Sequence, residues 1–157
     1  MVSRIEEAIQ KNLCSSSLTG KFPENLRSAI EYSVFPGGAR IRPTILISVA
    51  KACGDDMPEI TDAAGSALEM IHCASLVHDD LPCFDNGDTR RGKPTVHKAY
   101  GENTAVLAGD SLIINAFNCL ASVSKYSHTR SANLTLFLSK YAGFPNGICA
   151  GQGWELS

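Results

Sequence analysis

Apolar residues recur at helical spacing along this chain, and the clearest run is Ile60, Ala64, Ala67, Ile71 and Ala74, a stripe that leads to the pair Asp79-Asp80. A stripe of that period predicts a long helix with one face in a core. No alternating Val/Ile/Thr runs are joined by a hairpin dipeptide, so the expected fold class is all-α. Helices are predicted near residues 2–12, followed by a Ser-rich loop, and near residues 23–35, stopped by Pro36-Gly37-Gly38. Pro43 is expected to start a helix that runs to Gly54. Asp55 or Asp56 is expected to cap the long helix, whose first turn holds Pro58. Further helices are expected at residues 102–123, at residues 130–142 before Gly143 and Pro145, and from about Gly147.

With 157 residues, 44% of them hydrophobic, the chain is long enough to bury a core and is read as one domain or part of one. Its 14 basic and 16 acidic residues give a net charge of -2, which supplies no broad field for nucleic acid or anionic membrane. Any charge that meets phosphate must therefore be local. Six cysteines without a CxxC pair argue against a disulfide framework or a zinc site and are read as reduced thiols in or near the core. The N-terminal segment lacks an apolar signal core, and the most apolar region, residues 104–123, contains Asp110, Asn115 and Asn118. The expectation is a cytoplasmic protein without stable membrane insertion.

The segment VHDDLPCFDNGDTRRGK, residues 77–93, holds four aspartates, two adjacent arginines and a lysine. Magnesium takes oxygen ligands in near-octahedral geometry and is commonly held by one or two carboxylates plus substrate phosphates, while arginine forks match phosphate oxygens. Clustered aspartates followed by arginines suit a magnesium-bound diphosphate better than a merely solvated turn. His72 lies two helical turns before Asp79 and shares its side of the helix. Asp79 and Asp85 are six residues apart, which on an unbroken helix leaves them about 120° out of alignment. A kink or bulge at Pro82 is expected to bring them together. A second basic cluster, Gly37-Gly38-Ala39-Arg40-Ile41-Arg42-Pro43, opens a helix with glycines that allow close backbone approach to an anion. Gly109-Asp110-Ser111-Leu112 spells a hydrolase-like tetrapeptide, but in a helix rather than after a strand. The aspartates of residues 85–88 lack the spacing of an EF-hand loop.

The segments GGARIRP, EMIHCASLVHDDLPCFDNGDTRRGKPTVH and AVLAGDSL, in that order, resemble the trans-prenyl diphosphate synthases of the geranylgeranyl and farnesyl type. The resemblance runs from about Phe22 to Glu155 and implies the N-terminal half of an isoprenoid-synthase helical bundle. The chain, residues 1–157, is thus expected to be a partial domain without the family's second aspartate-rich motif. It implies that Asp79, Asp80 and Asp85 bind Mg2+ bridging an allylic diphosphate, which Arg90 contacts. Arg42, His72 and Arg91 would hold isopentenyl diphosphate, with Arg40 adding to the positive field. Ala74 and Ser75, small residues below the first aspartate, would leave room for a product longer than farnesyl. The implied reaction condenses isopentenyl diphosphate with an allylic diphosphate toward geranylgeranyl diphosphate, in a homodimer. The alternative, from another class, is a catalytically silent subunit that binds a diphosphate or a partner synthase. The chain departs from the family pattern at Ala39, where Lys is usual, and at Glu155, where the helix containing Gln152 usually has Asp.

Overall fold

The computed structural model describes residues 2–14 and 23–157. In chain order the elements are α1 (Val2–Cys14), α2 (Glu24–Val34), α3 (Ile41–Ala52), α4 (Pro58–Asp79), β1 (Thr89–Arg90), β2 (Lys93–Pro94), α5 (Val96–Tyr100), α6 (Glu102–Ser122), a 3-10 turn (Val123–Lys125), α7 (His128–Ala142) and α8 (Ile148–Glu155). Among the described residues the fold is all-α apart from one two-stranded ribbon. The Ser-rich loop expected after α1 lies outside the described residues.

Helices α4 and α6 form the central pair. They run antiparallel: Cys119 Sγ lies 4.0 Å from Met70 Sδ, and further toward the C-terminus of α4 and the N-terminus of α6 His78 Nε2 lies 3.3 Å from the Val106 carbonyl. Small residues let the two backbones approach, among them Ala67 and Ala74 on α4 and Ala108, Gly109 and Ala116 on α6, all buried. The predicted stripe Ile60, Ala64, Ala67, Ile71 and Ala74 is buried throughout. Helices α1 and α3 pack on α4, and α2 packs mainly on α6. Ile5, Ile9, Val34, Ile47, Met70, Leu112 and Leu120 are the largest apolar side chains of this core. By length and composition alone, residues 102–125 would suffice to cross a membrane. Here α6 is the core helix, with Ala105, Ala108, Leu112, Ala116, Cys119 and Leu120 buried.

Several local expectations are corrected. Neither Asp55 nor Asp56 caps α4, whose N-cap is Met57 without a side-chain bond. Asp55 instead accepts hydrogen bonds from Thr61 (2.6 Å) and Arg4 (3.1 Å), and Asp56 pairs with Arg130 through both oxygens (2.7 and 2.9 Å). Each carboxylate thus finds a tertiary cation, which outcompetes a local cap. Helix α3 starts at Ile41 rather than at Pro43, which sits buried in its first turn, where no helical N–H is required. Of the five described cysteines, all free, only Cys73 and Cys119 are buried; Cys53, Cys83 and Cys149 are exposed. Burial pushes both buried thiols up to about 11.

A hairpin was not expected, yet β1 and β2 pair antiparallel with Arg90 opposite Lys93. Arg91 (φ 53°) and Gly92 (φ 78°) form its two-residue turn, both with the positive φ that matches strand twist in such connections. Strands of two residues are too short to show alternation. Lys93 then closes the ribbon onto α2, donating to the carbonyls of Tyr32 (2.6 Å) and Phe35 (3.0 Å) with its ammonium 3.7 Å from the Tyr32 ring centre.

Candidate functional site

The site is built at the C-terminal end of α4. The helix ends at Asp79 and does not kink at Pro82, which falls in the turn beyond. What returns Asp85 to Asp79 is a backbone bond: the Asp85 N–H donates to the Asp79 carbonyl at 2.9 Å. Asn86 N–H donates to the Leu81 carbonyl and Gly87 N–H to that of Asp80, so the loop wraps the helix terminus and satisfies carbonyls left unpaired there. Burial, then the Asp85 carboxylate, raises the Asp79 pKa above its ordinary value, with Asp80 and Glu155 adding to the effect. Two repelling carboxylates at the negative end of a helix dipole favour a cation there.

Among the described residues, no three His, Cys, Asp or Glu side chains are gathered as a complete metal site. Asp79 and Asp85 nevertheless fit magnesium chemically, since that ion uses one or two carboxylates and takes its remaining oxygens from water and phosphate. Asp80 does not fit the role expected for it. It is 5% exposed, and its two oxygens accept from Arg90 Nε and Nη2 at 2.6 and 2.8 Å. This paired bond to Asp80 raises the Arg90 pKa above its ordinary value and fixes the guanidinium at the site. Asp88, the fourth aspartate, is exposed and pairs with Lys98.

The other basic residues divide into two groups. Arg42, His72 and Arg91 come together: Arg42 Nη1 lies 3.3 Å from His72 Nε2, and a Cβ on Gly38 would meet Arg91 Nη2 at 3.0 Å. Burial, then Arg42, lowers the His72 pKa, and Arg91 and Arg90 lower it further. In this cluster His72 is half-buried while Arg42 and Arg91 are exposed. Arg40 is elsewhere. Its guanidinium is buried, donating to Glu69 (2.7 Å), Glu6 (2.7 Å) and the Val34 carbonyl (2.8 Å), in space that a Cβ on Gly37 would take. The expectation that Arg40 adds to a substrate-facing field is therefore corrected: its charge is balanced inside the fold. The two glycines leave room for the Arg40 and Arg91 side chains. Ala39 is exposed and supplies no cation in place of the Lys usual there.

Below Asp79 opens a cavity of about 600 Å³ with mostly apolar walls. Ser75, Ala74 and Ile71 line it on α4, and the Ser75 hydroxyl is occupied by the His72 carbonyl at 2.9 Å. At 1.5 Å per residue, Ala74 lies about 7.5 Å and Ile71 about 12 Å down the helix from Asp79. Ile113 and Phe117 line it on α6, and Ala142, Gly143, Phe84 and Gln152 are also part of its wall. Sequence reasoning missed Phe84, Ile113 and Phe117. The four-residue spacing of the last two marks a helix face, but only packing shows that this face lines a cavity rather than a core. Gly109 accommodates the His78 ring, which lies 3.6 Å from Asp110, so the hydrolase-like tetrapeptide is a helix-packing feature.

Fold and site together define a class: an all-helical bundle in which an aspartate at the end of α4, with a second carboxylate and an arginine acting on it, stands over an apolar cavity. The polyprenyl synthetase family model matches residues 23–157. A geranylgeranyl diphosphate synthase of Rhodobacter capsulatus is 60% identical over 152 residues, covering 97% of this chain and 52% of that protein. A farnesyl diphosphate synthase of Geobacillus stearothermophilus is 46% identical over 136 residues, covering 85% of this chain and 45% of that protein. Among solved structures, a geranyltransferase from Legionella pneumophila superposes with a TM-score of 0.88 at 38% identity, covering 99% of this chain and 54% of that one. The chain belongs to the polyprenyl synthetase family, and it spans about half the length of the curated relatives it matches.

Proposed function

We propose that this chain carries the allylic diphosphate site of a trans-prenyltransferase that joins isopentenyl diphosphate to an allylic diphosphate, with geranylgeranyl diphosphate as the product. One observation carries the reading: Asp79 lines an apolar cavity of about 600 Å³, and Asp85, tied to it by a backbone bond, and Arg90, held by Asp80, both act on its charge. An allylic diphosphate matches that division, anionic head at the helix terminus and hydrocarbon tail between α4 and α6.

Asp79 and Asp85 would hold Mg2+, which when bound supplies charge to stabilise a departing diphosphate. Arg90 presents its guanidinium toward the same oxygens, already oriented by Asp80, so little reorganisation is needed as negative charge develops. Arg42, His72 and Arg91 form the second anion seat, suited to isopentenyl diphosphate. The walls at Ala74, Ile113 and Phe117 exclude water from an allylic cation. A homodimer belongs to the same proposal, supported by exposed Leu107 and Ile114 on the outer face of α6.

Calorimetry with geranyl diphosphate tests the site. Binding should require Mg2+ and weaken at least tenfold on Asp79→Ala or Arg90→Ala, since a charged hydrogen bond contributes about 1.5 to 3 kcal/mol. Affinity independent of Mg2+ and unmoved by both substitutions would overturn the assignment. Turnover with radiolabelled isopentenyl diphosphate separates the enzyme from a silent subunit: binding with no turnover in the full-length protein favours the subunit.

A further inference from the structure

We infer that His97 is a positioning residue for the diphosphate loop, acting as an Nδ1–H donor to Thr95, which in turn fixes Gly87 and the seat of the Asp80–Arg90 pair. This rests on the reading of Arg90 as a diphosphate contact.

His97 is 7% exposed in the first turn of α5, and Thr95, just before that helix, is 2% exposed. Thr95 Oγ1 lies 2.8 Å from the Gly87 carbonyl and 3.0 Å from His97 Nδ1. A carbonyl only accepts, so the single hydroxyl hydrogen of Thr95 goes to Gly87. The threonine oxygen is then left as an acceptor, and Nδ1 must carry the hydrogen between it and His97. The other ring nitrogen, Nε2, is buried and has no hydrogen-bond partner among the described residues. With the hydrogen on Nδ1, Nε2 is left bare, and a buried lone pair costs less than a buried unpaired N–H. Hydrogen count and burial thus select the same tautomer.

The relay ends at the site. Thr95 N–H donates to the Asp88 carbonyl at 3.1 Å, so Thr95 holds two successive loop residues. Gly87 lies so close to the Asp80 carboxylate that a Cβ there would stand 2.8 Å from Oδ1, and its N–H donates to the Asp80 carbonyl at 3.2 Å. Displacing Gly87 would therefore move the carboxylate that orients Arg90. His97 touches no ligand; it acts through Thr95 and Gly87.

Two variants separate this role from mere packing. In His97→Asn the side-chain N–H occupies the place of Nδ1, whereas in His97→Gln the amide extends to the place of Nε2 and leaves Thr95 without a donor. With Mg2+ and inorganic pyrophosphate as the calorimetric probe, well below each melting temperature, Gln should weaken binding roughly tenfold and Asn less than threefold, as for loss of one hydrogen bond. Thr95→Val should match Gln. Equal affinities across these variants, with differences only in melting temperature, would overturn the inference. On the unsubstituted chain, nitrogen-proton correlation of the histidine rings should show His97 protonated at Nδ1 and bare at Nε2; the opposite tautomer would overturn the inference without any ligand. Proton exchange at Arg90 Nε should be slow, fast in Gln and slow again in Asn; exchange that does not follow that order also overturns it. An Arg90→Gln variant that binds pyrophosphate normally would instead sink the underlying site reading, while leaving the relay measurable through the ring and exchange data.

Discussion

Replacing Arg40 with methionine isolates what the buried guanidinium does. Arg40 and Glu69 have side chains 1% and 3% exposed, and Glu6 is 34% exposed. Burial disfavours the Arg40 charge, yet the hydrogen bonds with Glu6 and Glu69 more than offset it and hold its pKa above the ordinary value. Removing one member of a buried ion pair leaves the other charge unpaired, at a cost of about 3 to 5 kcal/mol. Glu69 would be that charge, and the Val34 carbonyl at the end of α2 would also lose its donor. A net loss of about 4 kcal/mol corresponds to a melting temperature roughly 8 to 16 °C lower for a chain of this size. The double variant Arg40→Met, Glu69→Gln should regain at least half of that, since it leaves no buried charge without a partner. Thermal melts by circular dichroism measure the stability, and pyrophosphate calorimetry well below the melting temperature measures the site. Affinity should stay within about threefold, because Arg40 does not face the site. A melting temperature unchanged within about 2 °C, together with a tenfold loss of pyrophosphate affinity, would refute the reasoning and return Arg40 to the ligand.

The carboxyl of Asp79 is raised in the fold, so its favourable contribution is present below the unfolded pKa and is lost as pH rises through the folded pKa. Without Mg2+, Asp79→Asn should therefore melt at or above the unsubstituted chain at pH 7, with the gain vanishing at low pH; a loss of several degrees at pH 7 would contradict this. His72 is shifted the other way, below 6.5, so its contribution is present above the unfolded value and lost as pH falls through the folded one. His72→Gln should flatten the acid side of the stability profile, and an equally steep fall in the variant would assign that slope to other groups. Ala74→Phe should fill the cavity about 7.5 Å below Asp79. Binding of geranylgeranyl diphosphate should then weaken much more than that of geranyl diphosphate, and in the full-length protein the product should shorten; equal losses for both ligands would place the tail elsewhere.

Much of the fold could be read from the chain because helix period and punctuation are local properties. The stripe from Ile60 to Ala74 needs only 3.6-residue periodicity, and Pro36-Gly37-Gly38 ends α2 through backbone restrictions that act within a few residues. The density of aspartates and arginines in residues 77–93 likewise marked the segment on which the proposed site rests. Which of those charges are available is a different matter, settled by neighbours distant in sequence. Arg40 and Arg42 are alike in type and two residues apart, yet one is buried against Glu6 and Glu69 while the other stays exposed beside His72. Asp80 adjoins Asp79, but only Asp80 is taken by Arg90. The rejoining of Asp79 and Asp85 came from a backbone bond across six residues, not from a proline kink. The α6 wall of the cavity exists only where Ile113 and Phe117 pack opposite α4. Residue type and local spacing set the inventory of helices and charged groups; the pairing of each charge depends on electrostatics at about 3 Å between groups that only the tertiary fold brings together, which no local pattern encodes.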